Sequence, residues 1–312
     1  MYPHQPVLVH EVVSYLVHNP TGVYVDGTAG SGGHSLLISK RLAESGRLIC
    51  LDRDPEAVRL AEKRLALQQG KFTFVQANFA DIDKVLKDLN IEKVDGILLD
   101  LGMSAYQLEY SGKGFSFNRT EPLDMRMGPD ANKTAGDLVN NLSTEDLEHI
   151  LKDYGEERRA KFLAKAIVRA RTEAPIETSS HLAALIESVS PASHRKRAIH
   201  PATRTFQALR IAVNQELENL DIFLEKIPEL LAGKGRLITL SYHSLEDRRV
   251  KQAMVQWETE CTCPPDFPVC VCGKIPLFRR LFKKAMKPEP KEIQINPKAR
   301  SAIMRAAERI SS

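Results

Sequence analysis

The chain has 312 residues, enough to bury a large core and to hold two domains or one domain with an insertion. Its apolar and charged fractions, 43% and 27%, are those of a globular protein, and no apolar run reaches the roughly 18 residues that a bilayer span requires. Met-Tyr-Pro-His-Gln-Pro lacks the basic and apolar regions of a signal peptide, so a cytoplasmic location is expected. Net charge is +4, but residues 274–312 hold eleven Lys/Arg against three Glu, and a second basic cluster, His194-Arg195-Lys196-Arg197, runs on toward His200 and Arg204. Such patches suit either a phosphate backbone or a solvated surface.

The first hundred residues alternate strand and helix patterns. Strands are expected at 22–26, 47–52, 71–76 and 94–100, and helices at 34–44, 54–68 and 80–89. Asp54-Pro55-Glu56 has an N-cap residue followed by proline at the first helical position. This rhythm predicts a doubly wound, mostly parallel α/β sheet. The first strand runs into Asp26-Gly27-Thr28-Ala29-Gly30-Ser31-Gly32-Gly33-His34, a small-residue loop that opens a helix. Strand, Gly-rich turn and helix let backbone approach a nucleotide-like ligand. Twenty residues past Gly32, the second strand ends in Asp52, where a carboxylate accepts from ribose hydroxyls. A dinucleotide loop reads G-x-G-x-x-G, and the third glycine is missing here. S-adenosylmethionine sites usually read D-x-G-x-G-x-G, and this loop departs from that pattern only at Thr28. Asp26 would then face the methionine ammonium.

The rhythm stops after Asp100. Methyltransferases acting on exocyclic amines often carry D/N-P-P-Y at this strand end; only the acid is present. Asp100 therefore positions an amine, holds the cofactor, or does both. Residues 103–134 lack periodicity, and so long a loop is usually functional. Helices are expected within 135–190, with a cap at Ser143, and one long helix over 202–226. A last strand falls at 235–241, followed by Tyr242-His243-Ser244-Leu245-Glu246-Asp247-Arg248 and a basic tail after Lys283. His243 is either a proton acceptor or part of a hydrogen-bonded loop. Cys261-Thr262-Cys263 and Cys270-Val271-Cys272 suggest either a structural zinc on Cys261, Cys263, Cys270 and Cys272 or free thiols; the usual spacing is C-x₂-C. The expected division is 1–108 and 205–312 for the sheet domain, with a mostly helical substrate-recognition insertion at 109–204.

Further motifs occur in order: His4-Gln5-Pro6-Val7-Leu8, Asp100-Leu101-Gly102-x-Ser104, Gly114-Phe115-Ser116-Phe117, Leu123-Asp124-Met125-Arg126-Met127, Phe206-Gln207-Ala208-Leu209-Arg210, the Tyr242–Arg248 block and Asn296-Pro297-x-Ala299-Arg300-Ser301. With the first loop, they make the chain resemble the MraW-type ribosomal RNA methyltransferases from His4 nearly to its end. The resemblance implies a Rossmann-like class I methyltransferase fold with a helical insertion. It implies methylation of the exocyclic N4 amine of a cytosine in the decoding region of small-subunit (16S) ribosomal RNA. The partner would be that RNA or the assembled subunit. It also implies S-adenosylmethionine contacts from Gly32, Gly33, His34, Asp52, Phe79, Asp100 and Gln107. Without it, His34 reads as a cap and Phe79 as a core aromatic. Arg195, Lys196, Arg197, Arg204, Arg210 and Arg248 are the expected RNA contacts.

Overall fold

In the computed structural model, residues 6–68, 70–191, 200–259, 263, 272–273 and 275–311 are described. They fall into two compact units, one from residues 1–102 and 217–312 and one from residues 103–216. No helix among the described residues is long and apolar enough to cross a membrane.

The first unit is built on a seven-stranded sheet. Its strands are β1 (Val23–Asp26), β2 (Arg47–Asp52), β3 (Lys71–Gln76), β4 (Val94–Asp100), β5 (Leu231–Ser241), β6 (Phe278–Arg280) and β7 (Ile303–Arg309), in the order β3-β2-β1-β4-β5-β7-β6. The first five are parallel, and β7 runs antiparallel to both β5 and β6. Central strands buried on both faces read as continuous apolar runs. Within Leu48-Ile49-Cys50-Leu51 and Ile97-Leu98-Leu99, successive side chains enter opposite cores, as the two-residue strand period requires. Leu48, Cys50 and Leu98 pack with Ile38 of α2 (Gly33–Ser39) and Ala61 and Leu65 of α3 (Pro55–Leu65). Ile49, Leu51, Ile97 and Leu99 pack with Ile82 and Leu86 of α4 (Ile82–Asp88) and with the helices Glu216–Leu230 and Ser244–Glu258. The α3 start follows its sequence signal: the Asp54 side chain accepts from the Glu56 amide at 3.0 Å, and Pro55 needs no amide partner.

Two expectations need correction here. The basic tail is part of the sheet, because β6 and β7 lie within residues 278–309. Glu308 takes Arg236 and Arg279, Glu258 takes Arg280 and Asp247 takes Arg305. Arg279, Arg280 and Arg305 are thus paired along the sheet's antiparallel side, while Lys283, Lys284, Lys287, Lys291, Lys298 and Arg300 are exposed. The single helix over 202–226 is instead two, Thr203–Asn214 and Glu216–Leu230, separated by Gln215 at φ 50°.

The second unit is helical: α5 (Ala105–Glu109), α6 (Ala135–Asn141), α7 (Thr144–Asp153), α8 (Ala160–Arg171), α9 (Ser179–Ser188) and the helix Thr203–Asn214. Leu138, Leu147, Leu163, Ile167, Leu182 and Leu209 share its core. Side-chain caps at Thr134 and Ser143 open α6 and α7. The unpatterned stretch before α6 is tied down by polar bonds. The fully buried Asn214 accepts from the Met127 amide at 2.9 Å and donates to the Met125 and Arg210 carbonyls at 2.8 and 2.9 Å. Asn214→Ala would leave several of these backbone groups without a partner, and each such group costs about 1–3 kcal/mol. The variant should lose at least about 2 kcal/mol in urea unfolding, with faster amide exchange at residues 123–127. Unchanged stability and exchange would show that the loop holds itself.

Candidate functional site

The site of the sheet unit lies at the C-terminal ends of β1, β2 and β4, each of which closes on an aspartate. Asp26 is fully buried; it accepts from the Ser35 hydroxyl at 2.5 Å and the Thr28 amide at 3.3 Å. Burial pushes its carboxyl above the ordinary aspartate range, with the Ser35 bond and the Thr28 amide opposing. With no exposed surface, Asp26 shapes the loop, and its expected contact with a ligand ammonium is not supported. Asp52 accepts from the Gly30 amide at 2.8 Å through one oxygen and from the Asp54 amide at 2.9 Å through the other. Burial pushes its carboxyl up to about 6 against the pull of these two amides.

The loop can feed those carboxylates because Gly32 sits at φ 78° as the cap of α2, a conformation that disfavours side chains. A Cβ on Gly32 would also come within 3.1 Å of Ala61 Cα and Leu65 Cδ1. Gly33 opens α2 against Pro6. Next to it, His34 is buried: its Nε2 lies 2.9 Å from the Val7 carbonyl, and its Nδ1 lies 3.5 Å from Asp100 Oδ2. Thr28, the departure from the usual glycine pattern, accepts the Asp100 amide on Oγ1 at 2.6 Å and so ties the loop to the end of β4. The sequence reading gave Thr28 no role; the missing glycine was its only signal. Phe79, in the turn Phe79–Asp81, meets Phe223 edge-on at 5.6 Å, and its Cβ lies beside Gly27.

The structure thus brings Gly32, Gly33, His34, Asp52, Phe79 and Asp100 to one edge of the sheet unit. Gln107 belongs to the helical unit, where it is buried at the start of α5 in a reciprocal cap with Ser104. His243 caps the helix Ser244–Glu258, with its Nε2 2.9 Å from Glu246 Oε1. Arg248 is exposed on that helix, beside a depression of about 370 Å³ lined also by Lys251, Gln252 and Val255. In the helical unit Arg204 is exposed and donates to the Glu156 carbonyl at 3.2 Å, whereas Arg210 makes two 2.8 Å bonds to Glu216. That pairing was invisible in the motif Phe206-Gln207-Ala208-Leu209-Arg210, because Glu216 lies beyond the helix break. Arg195, Lys196 and Arg197 fall outside the described residues, as do Cys261 and Cys270; of the four cysteines read as either a zinc site or free thiols, Cys263 and Cys272 are described.

Comparison with known proteins is consistent along the whole chain. The model of the MraW methylase family matches residues 1–310. A "Ribosomal RNA small subunit methyltransferase H" from Desulfosudis oleivorans is 46% identical over 310 residues, 99% of this chain and 99% of that one. One of the same description from Geobacter sulfurreducens is 47% identical over 309 residues, covering 99% of each. Among solved structures, Aeropyrum pernix fibrillarin with natively bound S-adenosyl-L-methionine aligns with a TM-score of 0.42 and 9% identity, over 96% of this chain and 73% of that one.

The raised pKa of Asp52 has a measurable consequence. A carboxyl whose folded pKa exceeds its unfolded one holds its proton more tightly when folded, so its contribution to stability is full below about pH 4 and is lost as pH rises to about 6. Asp52→Asn cannot ionise. Relative to the parent, the variant should gain on the order of 2 kcal/mol in unfolding free energy as pH rises from 4 to 7. A pH-independent difference in urea titrations would place the Asp52 carboxyl in the ordinary range.

Proposed function

The chain belongs to the MraW methylase family, and from that membership and the geometry of the strand ends we propose that it transfers a methyl group from S-adenosylmethionine to the N4 amine of a cytosine in the decoding region of 16S ribosomal RNA. The observation that carries this reading is the placement of Asp100. Its amide is clamped by Thr28 of the Gly-rich loop, and its carboxylate faces His34 of the helix that the loop opens. Ligand loop and acceptor are therefore one rigid piece.

The residues present fit S-adenosylmethionine. Gly32 and its neighbours offer a side-chain-free approach, and Asp52 and Asp100 offer carboxylate acceptors suited to ribose hydroxyls and to a cationic ligand. When bound, S-adenosylmethionine supplies an electrophilic sulfonium methyl, whose in-line transfer to the amine leaves S-adenosylhomocysteine and one proton. Asp52 holds the ribose end, and Phe79 packs against the adenine. Asp100 accepts a hydrogen bond from the target amine, whose lone pair is delocalised into the cytosine ring, and so favours the pyramidal, nucleophilic geometry. His243, held by Glu246, is a second candidate for taking the proton. The target base leaves its stack to reach the loop. Gln107 is a further cofactor contact, and the helical unit, through Arg204, Arg210 and the basic cluster at 195–197, serves substrate recognition, with Arg248 contributing from the sheet unit. Whether RNA is met naked or in the assembled subunit does not change this chemistry, and the chemistry does not depend on a zinc at the cysteines.

Purified protein with 16S ribosomal RNA and S-adenosylmethionine should yield N4-methylcytidine by nucleoside mass spectrometry. Asp100→Asn should lower the single-turnover rate at saturating cofactor at least about tenfold, with cofactor affinity changed less. Full recovery of that rate at saturation would reduce Asp100 to a cofactor ligand, and a different methylated nucleoside would overturn the substrate. Charge reversal at Arg195, Lys196 and Arg197 should weaken RNA binding and flatten its salt dependence while sparing cofactor affinity. An unchanged salt slope in filter binding would make that cluster plain surface.

A further inference from the structure

The N-terminal motif and the ring it touches have no chemical part in the scheme above. Pro6, Val7 and Leu8 precede the helix Val9–Leu16 and lie across the start of α2. Pro6 packs on Gly33: a Cβ on that glycine would stand 3.4 Å from both Pro6 Cβ and Pro6 Cγ. The buried Leu8 sits at φ 50°, a left-handed conformation that a side chain disfavours, and its amide donates to Glu292 Oε1 at 2.8 Å. Between these two anchors the Val7 carbonyl meets His34 Nε2 at 2.9 Å.

A carbonyl oxygen only accepts, so the hydrogen bond to Val7 requires a proton on Nε2. In the neutral ring Nδ1 then keeps a bare lone pair. That lone pair faces Asp100 Oδ2 at 3.5 Å, and a carboxylate offers lone pairs as well. Two acceptors thus confront each other at more than the length of a charge-assisted hydrogen bond, and a single proton between them would draw them together. Asp26, the other acid beside the ring, is engaged by Ser35 and Thr28. His34 is buried, whereas the Asp100 side chain is 15% exposed. A base seated on that exposed side leaves the inner side, toward His34, as the direction in which the carboxylate can pass a proton on.

We propose that His34 receives, through Asp100, the proton that the target amine sheds in methyl transfer, and that the Val7 carbonyl holds the ring in the tautomer able to receive it. The proposal rests on the assignment of Asp100 as the amine acceptor. The N4 lone pair forms the new N–C bond, and the pair of the breaking C–S bond stays on sulfur. The N–H pair returns to N4, its proton passes to the Asp100 carboxylate, and Oδ2 hands it to Nδ1. The positive charge lost at sulfur reappears on the imidazole beside Asp100, so this acidic edge keeps a counter-charge throughout. Once the methylated base leaves, the exposed side of Asp100 returns the proton to water.

Two measurements test this. In the cofactor-free protein, NMR of the His34 imidazole nitrogens should find the proton on Nε2 and none on Nδ1. A ring protonated on Nδ1 would overturn the proposal, because the receiving lone pair is then occupied. His34→Gln keeps an amide donor for Val7 and offers no base. In single-turnover methylation of 16S ribosomal RNA at saturating S-adenosylmethionine it should slow transfer at least about tenfold, keep RNA and cofactor affinity within about threefold, and add no further loss in the Asp100→Asn background. A full rate in His34→Gln, or losses that multiply with those of Asp100→Asn, would overturn the relay while leaving Asp100 as acceptor. A full rate in Asp100→Asn would instead remove the acceptor assignment, and the relay with it. Should His34→Gln fold poorly, Glu292→Ala releases Leu8 and with it the Val7 carbonyl; the Nε2-protonated form and the transfer rate should fall together, and any other outcome would overturn the proposal.

Discussion

Like charge is crowded at one edge of this sheet, and the local structure is organised around relieving it. Asp26, Asp52 and Asp100 close three strands that are immediate neighbours, β2-β1-β4. Burial raises the first two, and the remaining carboxylates reinforce the shift. Backbone and hydroxyl donors answer each of them: Thr28 and Ser35 for Asp26, Gly30 and Asp54 for Asp52, Gly102 for Asp100. The loop conformation, including the left-handed Gly32, is the one that presents those amides. What remains after this local pairing is an excess of negative charge facing the loop, and a ligand carrying positive charge relieves it further. Stability and ligand preference thus have a common electrostatic origin.

The parts legible in the sequence were those with a short-range cause. Strands 47–52 and 94–100 coincide with β2 and β4, because runs buried on both faces leave a strong apolar pattern, and 71–76 coincides with the half-buried edge strand β3. The cap at Asp54 and the Gly-rich loop also appeared as expected, since their chemistry lies within a few residues. β6 and β7 were missed because their residues, such as Arg279, Arg305 and Glu308, are charged, and their partners lie 22 to 72 residues away. A charged residue paired across that distance reads as a solvated tail. The break at Gln215 escaped for a related reason: Asn214 turns toward Met125, a contact that no helical periodicity reveals.

The same limit shaped the reading of the site. Asp52 and Asp100 stand at the strand ends where the sequence placed them. The motif suggested a ligand contact for Asp26 and did not show that the carboxylate is buried and bonded to Ser35 and Thr28 of its own loop and helix. Thr28 looked like an imperfect glycine and proved to be the hydroxyl that couples β1 to β4. Arg210 reads as a cation for phosphate, and its pairing with Glu216 lies outside what its motif shows. Where a polar side chain points decides its role, and direction is a tertiary property.

The placement of β7 bears on how the protein is made. It pairs with β5 on one side and β6 on the other, so residues 303–309 fill an interior position of the sheet. Synthesis runs from the N-terminus, and these residues leave the ribosome after every other strand. Until then β5 presents an open edge of unpaired amides and carbonyls, a template for pairing with another nascent chain. A protein of this topology carries that open edge from the synthesis of residues 231–241 until residues 303–309 follow, and its dependence on holding chaperones should end once this segment emerges.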